Sequence, residues 1–316
     1  MIITEALTKW FDDFLAVDRV SLNVAQGRVL ALLGQNGAGK TTTVRMLSSI
    51  LKPTSGRACV AGFDVVSQPE KVRAAVGVLT ENHGLYGRMN AQEYLEFFGA
   101  LYGLPLADVR GRIRRLMEGF GLGHALKKRL GEYSKGMRQK LALVRAMLHD
   151  PAVLLLDEPT SAMDPESART VRDAIHSLRS SGRTILLCTH NLAEAEELAD
   201  QVAIIRRGRV ILNDSIDAAK HKLLGPVEYE ARLAHPLNGW NISLPDGVEL
   251  RERGENWVRF HIHDPWLTNP TLLRQMLDAH LEVISFHEVP RSLEKAFLNA
   301  LEMAAEGEGE SHGRTV

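Results

Sequence analysis

The chain has 316 residues, which is long enough for one large domain and a smaller one. Its 38 lysines and arginines are balanced by 39 aspartates and glutamates, and this balance excludes a protein that binds polyanions through its overall charge. The two cysteines, Cys59 and Cys188, lie far apart, and no apolar run approaches the roughly 18–20 residues needed to span a bilayer. The sequence therefore predicts a soluble cytosolic protein with reduced thiols, whose role at any membrane would come through a partner.

The N-terminal quarter of the chain predicts mostly β structure. The segments ITEAL, VSLNV and VLALL are strand-like, and after GQNGAGKTT the segment TVRMLSSIL has the periodicity of a helix. A strand at RACVAG and a short helix then lead to a further strand, VGVL. These segments predict an N-terminal antiparallel β-subdomain and the first strands of a core sheet.

Residues 90–150 have helical periodicity, which predicts a helical insertion. Beyond it strands and helices alternate, with strand patterns at AVLLL, TILLC and QVAIIRRGRVIL. Continuous apolar strands that alternate with helices are typical of a parallel sheet covered on both faces. The predicted fold class is therefore α/β, with a mostly parallel core sheet in a domain over residues 1–220.

The composition changes near Gly225 and Pro226, because three of the four tryptophans lie beyond this point. The segment WVRFHIH alternates like a strand, LEVISF is strand-like, and TLLRQMLDAH and SLEKAFLNALEMA are helical. These segments predict a small α+β domain over residues 226–305. The polar, glycine-rich end, EGEGESHGRTV, predicts a disordered tail over residues 306–316.

The stretch between VLALL and the following helix fits the pattern G-x-x-x-x-G-K-[ST] of a phosphate-binding loop. Its glycines let backbone N–H groups surround phosphate oxygens, and the helix N-terminus adds a partial positive charge. Lys40 would reach the β- and γ-phosphates, Thr41 would offer its hydroxyl to Mg²⁺, and Thr42 would bond the α-phosphate. The alternative is a glycine-rich structural turn. The loop is predicted to bind a nucleoside triphosphate through Gly34, Gln35, Asn36, Gly37, Ala38, Gly39, Lys40, Thr41 and Thr42.

Acidic residues and a histidine end two of the apolar strands. Asp157 ends VLLLD and would hold Mg²⁺, and Glu158 beside it could take a proton from the attacking water. His190 ends TILLCTH, at the edge where doubly wound sheets place their ligands, and would contact the γ-phosphate. The alternatives are a strand that merely ends in acidic residues and a structural histidine. Beside a phosphate loop, these side chains predict Lys40, Glu158 and His190 as catalytic residues.

With these motifs in order, residues 1–220 resemble the ATP-binding subunit of an ABC transporter. YSKGM lies where that family has its LSGGQ-type signature, and SAMD at 161–164 is similar to its D-loop. The resemblance implies a P-loop NTPase fold, with two subunits that meet head to tail around ATP. It also implies that Ser134 and Gly136 contact the γ-phosphate of the ATP held by the other subunit.

The resemblance implies three further binding residues. Phe11, or else Trp10, would stack on adenine, and Asp164 of the D-loop would lie at the nucleotide. Glu81, in VGVLTENHGLY, occupies the position where the family usually carries a glutamine that reaches Mg²⁺ and couples to the transmembrane partner. A carboxylate oxygen can still ligate Mg²⁺, but it adds negative charge and carries no amide donor. The predicted metal ligands are Thr41, Glu81 and Asp157.

The Lys-Gly-Met variant of the signature and the C-terminal domain resemble bacterial drug, sodium or polysaccharide exporters. The resemblance implies an ATP-hydrolysing subunit at the inner face of the cell membrane, which powers export through a separate permease together with a second ATPase subunit. The alternative is a soluble ABC-type ATPase that acts on nucleic acid or ribosomes. Residues 109–145 are consistent with this alternative, because they contain eleven Lys or Arg and only two Glu. A solvated helical face also explains this basic composition. We expect no nucleic-acid partner.

Overall fold

The computed structural model describes residues 1–80, 84–161, 163–237 and 243–312, with side chains up to residue 305. The chain forms two compact units. Among the described residues, the larger unit contains Met1–Ile216 and the chain from Ala300 to His312, and the smaller one contains Asp217–Asn299. The smaller unit therefore begins before the predicted start at residue 226, and the chain returns to the larger unit at Ala300.

The larger unit contains a central six-stranded sheet, a second four-stranded sheet and the helices that cover them. Its strands are β1 (Ile2–Phe11), β2 (Phe14–Val24), β3 (Val29–Leu33), β4 (Ser55–Val60), β5 (Phe63–Asp64), β6 (Val76–Leu79), β7 (Val153–Asp157), β8 (Thr184–Thr189), β9 (Gln201–Arg206) and β10 (Arg209–Ser215). Its helices are α1 (Lys40–Leu47), α2 (Pro69–Ala75), α3 (Ala91–Leu101), α4 (Leu106–Gly119), α5 (Lys135–Met147), α6 (Pro165–Ser180) and α7 (Leu192–Leu198).

The central sheet has the strand order β10-β9-β3-β8-β7-β6. The strands from β9 to β6 pair in parallel, and β10 pairs antiparallel with β9, so the predicted mostly parallel core is confirmed. Both faces are buried. Along β7, Leu154 and Leu156 join the core on the helical side, whereas Val153 and Leu155 join the core on the opposite side. Because strand side chains alternate between faces, burial of both faces requires the continuous apolar run seen in the sequence.

The second sheet has the strand order β2-β1-β4-β5 and is antiparallel, as predicted for the N-terminal subdomain. β1 and β2 form a hairpin whose turn contains Asp12, a residue with a left-handed backbone (φ 47°). β2 is an edge strand of this sheet and carries Ala16, whose carbonyl lies against Gly39. The antiparallel sheet therefore borders the loop that follows β3.

The predicted helical insertion is observed as α3, α4 and α5. α3 begins with a capping box, in which the backbone N–H of Glu93 donates to Asn90 Oδ1 (2.9 Å) and the N–H of Asn90 donates to Glu93 Oε2 (3.0 Å). Its buried residues Tyr94 and Leu95 belong to the same core as the helical face of the central sheet. In the part of the chain that the structure describes, no helix is both long enough and apolar enough to cross a bilayer.

The smaller unit has the predicted α+β architecture. Its elements are α8 (Ile216–Leu224), β11 (Val227–Leu233), β12 (Val248–Arg253), β13 (Trp257–Ile262), α9 (Pro265–Asp278), β14 (Val283–Glu288) and the first part of α10 (Leu293–His312). The antiparallel sheet has the order β12-β13-β11-β14. Phe260 of the sheet and Leu272 and Met276 of α9 are fully buried together and form the core of this unit.

The last helix differs from the prediction. The sequence predicted disorder over residues 306–316, but the backbone of α10 is helical to His312, and residues 313–316 lie outside the described residues. Helix propagation adds one hydrogen bond for each residue that becomes ordered, so an established helix extends into a polar segment that would not form one alone. Within the larger unit, Arg206 Nη1 donates to the carbonyl of Leu301 (3.0 Å), which explains why the chain from Ala300 belongs to that unit.

Candidate functional site

Several of the predicted site residues follow strands that end at one edge of the central sheet. Gly34 follows β3, Glu158 follows β7 and His190 follows β8. Parallel strands bring their carboxyl ends to the same edge, so these residues are neighbours although they are far apart in sequence. This edge is the candidate site.

The loop that joins β3 to α1 is built on glycine. Gly37 (φ 80°) and Gly39 (φ 110°) have positive φ, and Gly39 is the N-cap of α1. A Cβ on Gly34 would lie 2.5 Å from the carbonyl oxygen of Ile205, and one on Gly39 would lie 2.7 Å from that of Ala16. The loop therefore requires glycine both for its backbone conformation and for its close packing on two neighbouring segments.

Lys40 and Thr41 begin α1 beside this loop. Lys40 is buried, and its Nζ donates to the carbonyls of Gly34 (2.6 Å) and Gln35 (3.2 Å). Thr41 Oγ1 donates to Asp157 Oδ2 (2.7 Å). A buried ammonium and a helix N-terminus provide positive charge for phosphate oxygens, and hydroxyl and carboxylate oxygens are ligands that Mg²⁺ prefers. The donor set therefore fits a nucleoside triphosphate with Mg²⁺.

Glu158 occupies an unusual backbone conformation directly after the buried Asp157. Its φ of 51° is left-handed, which costs roughly 1–3 kcal/mol for a residue other than glycine and is typical of functional sites. The N–H of Glu158 donates to the carbonyl of Cys188 on the neighbouring strand (2.8 Å). Its Oε1 lies 2.8 Å from Nδ1 of His190. The structure therefore brings the predicted base and the predicted histidine into contact.

A buried carboxylate near Glu158 was missed by the sequence reasoning. Glu194, in the first turn of α7, is 2% exposed and accepts from Thr160 Oγ1 (2.7 Å) and from Thr189 Oγ1 (2.9 Å). Burial raises the pKa of the Glu194 carboxyl above its ordinary value, although the two threonine hydrogen bonds oppose this shift. Glu194 thereby connects the loop after β7 to the end of β8. Acidic residues are common in exposed first turns, so its position in sequence did not reveal its burial.

A cavity of about 560 Å³ lies beside the glycine loop and brings most of the predicted binding residues together. The predicted catalytic residues Lys40, Glu158 and His190 all line it. Ala38 lines a neighbouring cavity instead, and Gly34 contributes its carbonyl to Lys40. The lining consists of Phe14, Ala16, Gln35, Asn36, Gly37, Gly39, Lys40, Thr41, Thr42, Asp157, Glu158, Ser161 and His190.

The aromatic residue in the lining is Phe14, whereas the sequence analysis favoured Phe11. Phe14 starts β2, the strand that borders the loop, and its side chain is 64% exposed. Phe11 ends β1, one strand further from the loop, and Lys9 Nζ lies 5.2 Å from the centre of its ring. Trp10, the alternative, does not line the cavity either. Three aromatic residues flank one turn, so the sequence could not distinguish them.

Ser134, Gly136 and Asp164 form a second group. Ser134 is the N-cap of α5, and its Oγ accepts from the N–H of Met137 (3.2 Å). Asp164 caps α6 through the N–H of Ser167 (2.9 Å), and this bond lowers the pKa of the Asp164 carboxyl. A Cβ on Gly136 would lie 3.8 Å from Asp164 Oδ2. The structure therefore brings the three predicted residues together, and none of them lines the cavity at the glycine loop.

Glu81, the remaining predicted metal ligand, lies outside the described residues, so its role stays a prediction. Among the residues that are described, no three His, Cys, Asp or Glu side chains are grouped to hold a metal ion. The candidate ligands in the structure are the Thr41 hydroxyl and the Asp157 carboxylate. Two such oxygens suit Mg²⁺, which usually keeps several waters and binds substrate phosphates.

Comparisons with known proteins agree with this geometry. Residues 17–161 match the family model described as ABC transporter. The chain is 44% identical over 224 residues to the ABC transporter ATP-binding protein NatA of Bacillus subtilis (strain 168), a match that covers 71% of this chain and 87% of that protein. It is 37% identical over 300 residues to the daunorubicin/doxorubicin resistance ATP-binding protein DrrA of Streptomyces peucetius, with 93% of this chain and 90% of that protein covered.

Solved structures show the same fold. One, described as the ATP binding subunit of an ABC transporter, has a TM-score of 0.66 and 29% identity, and the match covers 70% of this chain and 92% of that one. Another, a nucleotide-free ATP-binding cassette from an ABC transporter, has a TM-score of 0.64 at 23% identity, and the match covers 72% of this chain and 96% of that one. At the lower identity the likeness concerns the fold alone.

Proposed function

Because this chain belongs to the ABC transporter family of ATP-binding proteins and is an ABC-type ATPase, we propose that it powers export through a separate membrane permease. One observation carries the export direction. The match to the daunorubicin/doxorubicin resistance protein covers 93% of the chain, so it includes most of the smaller unit as well as the ATPase unit. Removal of a drug from the cell is the simplest way for a transport ATPase to confer resistance. The chain would work as a peripheral subunit at the inner face of the cell membrane.

The glycine loop and α1 are proposed to bind the triphosphate of ATP. Lys40, whose ammonium is held against loop carbonyls, would neutralise the β- and γ-phosphate oxygens. Thr41 and Asp157 would hold Mg²⁺, which neutralises charge on the phosphates when bound. The exposed ring of Phe14 at the edge of the cavity offers a surface on which adenine can stack.

Glu158 is proposed as the general base. Its carboxylate accepts a proton from water while the water oxygen bonds to the γ-phosphorus. The bond from that phosphorus to the β–γ bridging oxygen breaks, and the products are ADP and inorganic phosphate. His190 orients the base through the contact between Nδ1 and Glu158 Oε1, and its exposed ring can reach the γ-phosphate through the other nitrogen. The shared cavity of Lys40, Glu158 and His190 supports these roles.

A second ATPase subunit is proposed to complete each site. Ser134 and Gly136 stand at a helix N-terminus, where the backbone N–H groups and the helix dipole favour an anion. They do not line the cavity of their own chain, so we propose that they contact the γ-phosphate held by the other subunit. Asp164, next to Gly136, would lie at the same interface.

An apolar groove supports the permease contact. A cavity of about 390 Å³ opens between the end of α1, β6 and α3, and most of its lining is apolar. Ile50, which lines it, is 65% exposed, and Phe98 and Tyr102 contribute aromatic rings. An exposed apolar cavity of this kind is typical of a protein interaction site. We propose that a cytoplasmic helix of the permease, with apolar side chains toward the ATPase, docks here.

Purification of the chain from detergent-solubilised membranes tests the export proposal. We expect an integral-membrane protein to co-purify in near-equal amount and to raise the rate of ATP hydrolysis. Lys40→Ala should abolish hydrolysis in this complex, because the charge on the β- and γ-phosphates is lost. Recovery of ribosomes or nucleic acid in place of a membrane protein would contradict the proposal and favour the soluble ATPase.

Ile50→Glu tests the groove separately. It should abolish recovery of the membrane protein and leave ATP binding intact, because Ile50 does not line the nucleotide cavity. Leu277→Glu, at a side chain that is 59% exposed in the smaller unit, is the matched control and should retain the partner. Equal recovery with Ile50→Glu would exclude this groove as the docking site.

A further inference from the structure

The left-handed backbone of Glu158 is held from two sides. Gln139, on α5, donates through Nε2 to the carbonyls of both Glu158 (3.0 Å) and Pro159 (3.0 Å). Its side chain is 6% exposed. From the other side, the N–H of Glu158 donates to the carbonyl of Cys188 (2.8 Å). The peptide groups around Glu158 are therefore fixed between α5 and β8.

We infer that Gln139 is a positioning residue for ATP hydrolysis, because its amide holds the Glu158–Pro159 backbone in the conformation that directs the Glu158 carboxylate at His190. The inference rests on the proposed role of Glu158 as general base. Gln139 does not line the nucleotide cavity, so it acts through Glu158 and not on ATP.

The chemistry of the primary amide suits this task. An amide NH₂ group has two N–H donors, one for each of the two carbonyls. Two consecutive carbonyl oxygens that point toward the same position repel each other. A buried carbonyl oxygen without a hydrogen-bond donor lowers the stability of the folded chain. Without Gln139, the strained φ of Glu158 can relax to an ordinary region, and this rotation moves the carboxylate away from His190.

The position of Gln139 on α5 adds a connection to the signature. Ser134, the N-cap of α5, is proposed to contact the nucleotide of the other subunit, and Gln139 lies further along the same helix. A movement of α5 would therefore reach the backbone of Glu158 through a single side chain.

Steady-state kinetics of the full-length chain test the inference. Gln139→Met keeps the length of the side chain and removes both donors, so kcat should fall about 100-fold while KM for ATP stays within about twofold. Gln139→Glu keeps the shape but presents acceptor oxygens to the carbonyls, and kcat should fall at least as far. Gln92→Met is the matched control, because the Gln92 amide donates to Glu96 Oε1 within α3 (2.8 Å), and its kcat should equal that of the wild type.

A double-mutant cycle separates positioning from a general packing defect. In a Glu158→Gln background there is no base to position, so the addition of Gln139→Met should change the residual kcat by no more than about twofold. An equal loss in both backgrounds would show a structural role and overturn the inference. The inference would also be overturned if both Gln139 variants kept the wild-type kcat while the Glu158→Gln variant hydrolysed ATP slowly. Wild-type kcat in Glu158→Gln would instead refute the proposed base.

Discussion

Gly136, near the start of α5, allows a direct test of the head-to-tail arrangement. Glu158→Gln should leave ATP bound but slow its hydrolysis, so that a closed dimer accumulates with ATP. The addition of Gly136→Asp would direct a carboxylate at the γ-phosphate held by the other subunit. The monomer has room for a Cβ at this position, because the atom nearest to a Cβ on Gly136 is Ser167 Oγ at 3.5 Å, an ordinary contact distance.

The size of the effect follows from Coulomb's law. Two like unit charges about 4 Å apart repel by about 4 kcal/mol at an effective dielectric constant of about 20. This energy corresponds to a dimer that is about 1000-fold weaker for each site affected. Gly136→Asn, which has nearly the same shape and no charge, should have a far smaller effect and serves as the matched control.

Light scattering with excess ATP at high protein concentration measures the outcome. Glu158→Gln, alone or with Gly136→Asn, should be a dimer, and Glu158→Gln with Gly136→Asp should be a monomer. A fluorescent ATP analogue should bind to all three proteins, because Gly136 does not line the cavity of its own chain. If the aspartate variant dimerises as tightly as the asparagine variant, the signature does not act across the interface.

Three further predictions concern packing, metal binding and pH. Gly77→Ala should lower the free energy of unfolding by about 1–3 kcal/mol, since a Cβ there would lie 2.1 Å from the carbonyl oxygen of Ala146. Gly111→Ala on α4 should raise the free energy of unfolding by about 0.5–1 kcal/mol, because a Cβ there meets nothing within 4 Å. Chemical denaturation measures both free energies. Asp157→Asn should weaken ATP binding about 10- to 100-fold with Mg²⁺ present and leave Mg²⁺-free binding unchanged in nucleotide titrations. Burial lowers the pKa of His149 in the folded chain. The stability that the neutral His149 ring contributes is therefore complete above pH 6.5, and it is lost as the pH falls from 6.5 through the lowered pKa. His149→Phe, which can keep the ring stacked on Tyr102, should remove this part of the pH dependence when unfolding is followed at several pH values.

Local patterns in the chain were sufficient to predict the central part of the candidate site. The glycines, Lys40 and Thr41 follow one another in sequence, so their spacing alone predicts a loop between a strand and a helix. Glu158 and His190 were predicted together because each follows a continuous apolar strand, and parallel strands end at the same edge of a sheet. The same apolar runs predicted the mostly parallel core, because strands buried on both faces need apolar residues at every position.

Contacts between distant segments set the remaining features. Phe14 lines the cavity and Phe11 does not, because the order of strands in the antiparallel sheet places β2 beside the loop. Gln139 reaches Glu158 across 19 residues of sequence, and Glu194 reaches Thr160 across 34, through bonds between elements that only the folded chain brings together. The spacing of residues in the sequence indicates the periodicity of a helix or a strand. It does not indicate the distance between two elements that pack against each other. Such partners become visible when the chain is folded, because their hydrogen bonds depend on tertiary geometry and not on local order.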